Sequence, residues 1–151
     1  MGKPMEKSLP NNIYQYFKTS TMTGVASTLD EDGYPRGAPM SLFYARDEKT
    51  LLMASQNRSQ TFNNAIREGK IALTFVGGGD VAFSIRGQVR MLKEKMEASE
   101  HMGVLVVDID GVKSDVAVDA EVTEGIKIQF RSEKWQRFFE GVLKELQSCG
   151  I

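Results

Sequence analysis

The chain has 151 residues, 41% hydrophobic and 26% charged, the balance of a globular protein rather than of a disordered, fibrous or membrane-embedded one. With 19 Lys and Arg against 20 Asp and Glu, no broad positive field exists to attract nucleic acid or an anionic membrane, so any anion must be held by a local site. This length predicts one domain, residues 1–151, with a core able to fold without disulfides or metals.

Met1 to Lys7 is polar and lacks the apolar centre of a signal peptide, and Glu6 stands where a myristoylation start at Met1-Gly2 requires Ser or Thr. Ser8 is placed to cap a first helix in which Leu9, Ile13, Tyr16 and Phe17 form one buried stripe, with Pro10 in the first turn. Met22 to Leu29 reads as a strand, and Asp30-Glu31-Asp32-Gly33 supplies the turn into a second extended run, Pro35 to Ala45. That run sets Ala38, Met40, Leu42 and Tyr44 on one face, with Pro39 marking an unpaired or distorted position. Arg46 to Lys49 is a polar turn before a short strand, Thr50 to Ala54, and the polar stretch Ser55 to Ser59. Phe62, Ala65 and Ile66 then show helical spacing up to Gly69.

Ile71 to Val76 is a compact apolar strand, and Gly77-Gly78-Gly79-Asp80 permits a tight turn. In the next strand Val81, Phe83, Ile85, Val89 and Met91 alternate with polar residues, and Gly87 on the apolar face predicts a bulge or a close approach of backbone or ligand. Lys93 to Met102 is charged, a short helix or an irregular crossing, before the strand-like Val104 to Ile109 and a looser acidic stretch. Ile126, Ile128 and Phe130 alternate as a final strand, and Ser132 caps a last helix carrying Trp135, Phe138, Phe139, Val142, Leu143 and Leu146. No apolar stretch is long enough to span a bilayer, and Cys149 is a lone thiol suited to a reducing compartment, so the expected address is the cytoplasm. Strands joined mostly by short turns favour an antiparallel sheet or barrel over a doubly wound parallel sheet.

Much chemistry is excluded by what is missing. One histidine, His101, and one cysteine provide no metal cluster and no Cys/His nucleophile, and no G-x-S-x-G elbow accompanies His101. The triple glycine lacks the Gly-Lys-Ser/Thr of a phosphate loop, and Asp108, Asp110 and Gly111 lack the remaining ligands of a calcium loop. The informative segment is Ser55 to Asn64, where hydroxyls, amides and Arg58 gather around a helix start. Two readings are open there. Ser59 caps the helix and Arg58 is solvated, or Ser59, Thr61 and Arg58, with Arg36 in reserve, hold a phosphate at the helix N-terminus.

The order Asp32-Gly33-Tyr34-Pro35-Arg36-Gly37-Ala38-Pro39-Met40, Leu51 to Ser55, Ser59-Gln60-Thr61 with Asn64, Gly69 to Leu73 and Ile85-Arg86-Gly87 resembles the pyridoxamine 5'-phosphate oxidase-like family of FMN-binding split β-barrels. The resemblance implies a mainly β (α+β) fold, a six-stranded antiparallel split barrel flanked by N-terminal, middle and C-terminal helices. It also implies a homodimer with FMN in a groove at the interface. By motif position Arg36, Gly37, Ala38, Pro39 and Met40 run along the isoalloxazine and ribityl chain, Ser55 follows at the end of the next strand, and Arg58, Ser59, Thr61 and Asn64 surround the phosphate. Thr61 stands where many relatives carry Lys, which leaves Arg58 or Arg36 to supply the counter-charge.

The expected activity is an FMN-dependent oxidoreductase with small-molecule electron donor and acceptor, in which the flavin carries the chemistry and no catalytic side chain is required. The C-terminal Arg/His motif of a true pyridoxamine phosphate oxidase is not recognisable in Glu133 to Ile151. A flavin or small-ligand carrier or sensor is the alternative, and a cofactor-free dimeric interaction module is the third. Trp135 and the Phe138-Phe139 pair read as core or dimer contact, and the eight Met residues as adaptable packing.

Overall fold

The computed structural model describes residues 5–149; the Met1-Gly2 start and the rest of Met1 to Pro4 lie outside the described residues. Seven strands and three helices follow in the order α1 (Asn11–Thr19), β1 (Gly24–Leu29), β2 (Pro35–Met40), β3 (Phe43–Asp47), β4 (Thr50–Gln56), α2 (Gln60–Glu68), β5 (Lys70–Gly77), β6 (Val81–Lys93), β7 (Met102–Ser114) and α3 (Glu133–Gln147). All pairings are antiparallel, in the spatial order β2-β1-β5-β6-β7-β4-β3.

That order explains the closure. β2 and β3 lie at opposite edges of the sheet yet are joined by Ser41 and Leu42 alone. Three peptide steps span about 10 Å, so the sheet must curl until its edges nearly meet. The seam is held by Ala54 N donating to Leu42 O at 3.0 Å and by Thr21 and Thr23 hydroxyls bonding Ser41, each at 2.7 Å. The fold is a split barrel, with seven strands where six are expected. The single run Pro35 to Ala45 becomes two strands that face different partners. Ala38 and Met40 stay on the face of Ala26, whereas Leu42 and Tyr44 turn to the cluster under α3.

The barrel interior is filled by Phe17, Phe43, Phe75 and Phe83, with Leu51, Met53, Leu73, Ile85, Leu105 and Val107, and closed by Leu9 of the α1 approach and Phe62 of α2. The aromatic pairs stand 5.0 to 6.0 Å apart, mostly edge to face, as ring quadrupoles prefer. A second cluster on the outer faces of β4 and β7 receives Val142 and Leu146 of α3.

Some local features follow the sequence and some depart from it. α1 starts at Asn11 with Pro10 at the N-cap position and no side-chain cap, so Ser8 does not cap it. Pro10 presets the extended backbone angle at the cap, so the capping hydroxyl is not needed to stop the helix there. Gly87 sits at a register shift between β6 and β7, where a Cβ would lie 2.4 Å from the Asp108 carbonyl oxygen. Residues 94–101 form an irregular crossing rather than a helix. Ile126 to Phe130 carries a strand's alternation but joins no ladder. It belongs to a strap tied to the β5–β6 turn, where Asp80 N donates to Val122 O and Val122 N to Asp80 Oδ1, each at 3.0 Å. Among the described residues no helix is long and apolar enough to cross a membrane, and no group of three or more His, Cys, Asp and Glu could hold a metal ion.

Candidate functional site

The polar segment after β4 turns sharply into α2. Ser59 caps the helix, its hydroxyl accepting from Phe62 N at 3.1 Å, and Gly69 ends it in the left-handed conformation at φ 70°. The backbone N–H groups of Gln60 and Thr61 find no acceptor among the described residues, so the first turn offers donors and partial positive charge to an anion. Thr61 lies on this turn, 2% exposed.

Three motif segments meet at Ser55, the buried residue near the end of β4. Its hydroxyl is 3.4 Å from Ser59 Oγ and 3.6 Å from Met40 Sδ, joining the end of β2, the end of β4 and the cap of α2 in one line of side chains. Met40 reaches it because Arg36, Ala38 and Met40 share the face of Thr28, Ala26 and Gly24 on β1.

Pro35, Gly37 and Pro39 take the alternate positions of β2. Asp30 N donates to Tyr34 O at 2.9 Å, which fixes the alternation of the ladder, so the two prolines face away from β1 and cost it no hydrogen bond. The free edge of β2 therefore presents carbonyls and the single N–H of Gly37. It resists addition of another strand and leaves its backbone to a ligand.

Arg36 and Asn64 converge on Asp30. Arg36 Nε donates to Asp30 Oδ1 at 2.8 Å, and the Asn64 amide donates to the same oxygen at 2.7 Å and to Thr28 Oγ1 at 3.2 Å. Asn64, 1% exposed, thus ties α2 to the β1–β2 hairpin rather than pointing at the helix start. The sequence offered no sign of Asp30 as this hub, because it reads locally as a turn residue. The Arg36 guanidinium, then the Asn64 amide, hold the Asp30 carboxyl below its ordinary value. A lowered folded pKa means that ionised Asp30 stabilises the fold at neutral pH, and that this contribution is lost as pH falls below about 4 through the lowered value. Asp30→Asn is expected to flatten the acid limb of the stability curve, read as urea midpoints at pH 7 and pH 3.

Arg58 stands apart from this network, exposed in the turn, on the wall of a cavity of about 570 Å³ that also takes in His101, Trp135 and Phe138. The helical spacing of Trp135 and Phe138 reads as packing, yet Trp135 is 49% exposed. The wall is locked from behind by Glu145 of α3, which accepts from Ala98 N at 2.7 Å, Glu97 N at 3.1 Å and Lys93 Nζ at 3.1 Å. Burial alone pushes the Glu145 carboxyl up, but these donors outweigh it and leave its pKa lowered. Glu145→Ala is expected to cost about 2–3 kcal/mol, the range for losing charge-assisted hydrogen bonds, and to speed amide exchange at Glu97 and Ala98.

The chain is 28% identical over 123 residues to the uncharacterized protein YclD of Bacillus subtilis (strain 168), covering 77% of this chain and 79% of YclD. Its fold matches that of a pyridoxamine 5'-phosphate oxidase candidate from Lactobacillus delbrueckii with a TM-score of 0.61 at 19% identity, over 74% of this chain and 98% of the other. It also matches an F420 reductase, TM-score 0.53 at 18% identity, over 69% and 98%. Residues 13–126 match the family model described as pyridoxamine 5'-phosphate oxidase, a span that runs from α1 through the whole sheet, and the chain belongs to that family.

Proposed function

We propose that the protein is an FMN-binding flavoprotein that uses the bound flavin for hydride or electron transfer, acting as one domain in a homodimer with the cofactor in the groove between subunits. The observation that carries this reading is the meeting of the β2, β4 and α2 motif segments at Ser55, beside a helix start with two N–H groups unpaired among the described residues. A dianion wants this set of donors. Ser59 and Thr61 hydroxyls and the Gln60 and Thr61 N–H groups hold the phosphate at the positive end of α2, and Arg58, which lines the cavity beside α3, takes no part. Arg36, Gly37, Ala38, Pro39 and Met40 follow the ring and ribityl chain, mainly through the open backbone edge of β2. Asn64 and Arg36 act through Asp30, which fixes the hairpin against α2.

Bound FMN supplies a ring able to exchange a hydride or single electrons with a small-molecule donor and acceptor. The chain's part is to bind that ring, orient it and exclude water. Support at the level of fold comes from the F420 reductase, whose redox chemistry is carried on the same architecture. One observation favours a second reading, a flavin carrier or sensor: Ser55, Ser59 and Thr61 can hold an anion, but no proton-transfer side chain stands among them.

The test is the visible spectrum after addition of FMN and exhaustive dialysis. Retained flavin absorbance that bleaches with NADH or NADPH and returns with an acceptor is the expected result. Retained absorbance without bleaching selects the carrier, and no retained flavin refutes both.

A further inference from the structure

We propose that the cavity between the β4–α2 turn and α3 is a second ligand site, which binds small planar aromatic carboxylates independently of the flavin. Its chemistry is carried by five side chains. Trp135 and Phe138, 5.6 Å apart and edge to face at 88°, form an aromatic wall, and the thioether of Met102 adds to the apolar floor. Arg58 on the opposite side pairs with no carboxylate and makes no side-chain hydrogen bond among the described residues. His101 adds an exposed imidazole to the same lining. A cavity of about 570 Å³ accommodates one or two fused rings.

The site is built rather than incidental. Asn57, on the same wall, is fixed by donating to Glu94 O and Glu100 O, each at 2.8 Å, while its own N–H donates to His101 O at 2.9 Å. Glu145 pins the facing loop from α3. The turn and the loop that carry Arg58 and His101 are therefore held at a set distance from the aromatic pair. A planar guanidinium matches a carboxylate in two parallel hydrogen bonds, and ring faces or edges match an aromatic body, so the two requirements select a ligand having both. Glu100, 3.8 Å from His101, disfavours a ligand of high negative charge.

The site also stands on a different side of the sheet from the proposed phosphate position. Ser55 points to the face of Met40 and the barrel interior, whereas its neighbour Gln56 points to the side of α3 and lines the cavity. Only the β4–α2 turn separates the two.

Trp135 is the sole tryptophan of the chain, so its fluorescence reports on this cavity alone. The probe is 4-nitrobenzoate, titrated against the full-length protein with and without FMN, with 4-nitrobenzamide as the uncharged analogue. The expected result is saturable static quenching by the carboxylate, at unchanged fluorescence lifetime, and binding weaker by about tenfold or more for the amide. Arg58→Ala should bring the carboxylate down to the level of the amide, and Phe138→Leu, which keeps bulk but removes the ring, should weaken both probes. Purely collisional, linear quenching would overturn the proposal, as would an Arg58→Ala variant that binds the carboxylate as the parent does. Because static quenching requires contact with Trp135, this outcome is separate from whether FMN is retained.

Discussion

Ser59→Asp is expected to leave α2 as stable as in the parent and to lower FMN affinity by about a hundredfold or more. The two effects separate because the proposed site gives Ser59 two tasks. As the cap it accepts from Phe62 N, and aspartate performs that task equally well while adding a negative charge at the positive end of the helix. As a phosphate ligand it donates, and an ionised carboxylate cannot. Losing one hydrogen bond to a charged group costs about 1.5–3 kcal/mol, and placing like charges about 4 Å apart near the surface adds about 1–4 kcal/mol. Thermal melts and FMN titrations on the same samples check both parts. Ser59→Ala gives the opposite pattern, a loss of about 1 kcal/mol of stability with a smaller loss of affinity, since it removes the cap without adding repulsion. A Ser59→Asp variant that binds FMN as the parent does would mean that the hydroxyl is only a cap, and would move the phosphate away from α2.

The largest effect on stability is expected at Phe75. Its ring is fully buried at the centre of the aromatic cluster, 5.2 Å from Phe17, 5.0 Å from Phe43 and 5.2 Å from Phe83. It therefore links α1, β3 and β6 through the barrel interior. Phe75→Ala removes that link and leaves a cavity that three rings on different elements cannot collapse to fill, at a cost of about 3–5 kcal/mol. Against a total of about 5–15 kcal/mol this is a large fraction, and it lowers Tm by about 10 °C. The same ring dictates a glycine on β1. A Cβ at Gly24 would stand 2.6 Å from Phe75 ring carbons and 2.7 Å from Thr74 O, so Gly24→Ala overpacks the parent core. In the Phe75→Ala background the ring clash disappears, while the Thr74 carbonyl stays at 2.7 Å. The double variant is expected to be more stable than the sum of the single losses predicts, and a urea double-mutant cycle reads the coupling.

Local patterns in the amino-acid sequence determine several elements by themselves. The alternation of Val81 to Met91 makes β6, and the spacing of Phe62 and Ala65 between Ser59 and Gly69 makes α2 with both its caps. Gly87, a gap on an otherwise apolar face, already marks the bulge where the Asp108 carbonyl comes too close for any side chain. The order of short motifs, each weak alone, identifies the family whose model covers residues 13–126.

Pairing and convergence are decided only in three dimensions. Pro35 to Ala45 has one continuous extended pattern, yet it divides at Ser41-Leu42 because the two halves end at opposite edges of a sheet that must close. Ile126 to Phe130 alternates as a strand should, but it joins no ladder and runs as a strap tied to the β5–β6 turn. Asp30 gathers Arg36 and Asn64 from separate elements, and Arg58 meets Trp135 across a cavity built by a turn, a loop and a helix. Periodicity reports which face of a segment seeks burial and is silent on which segment will cover it. That choice belongs to barrel closure and core packing, which act between residues far apart in the chain.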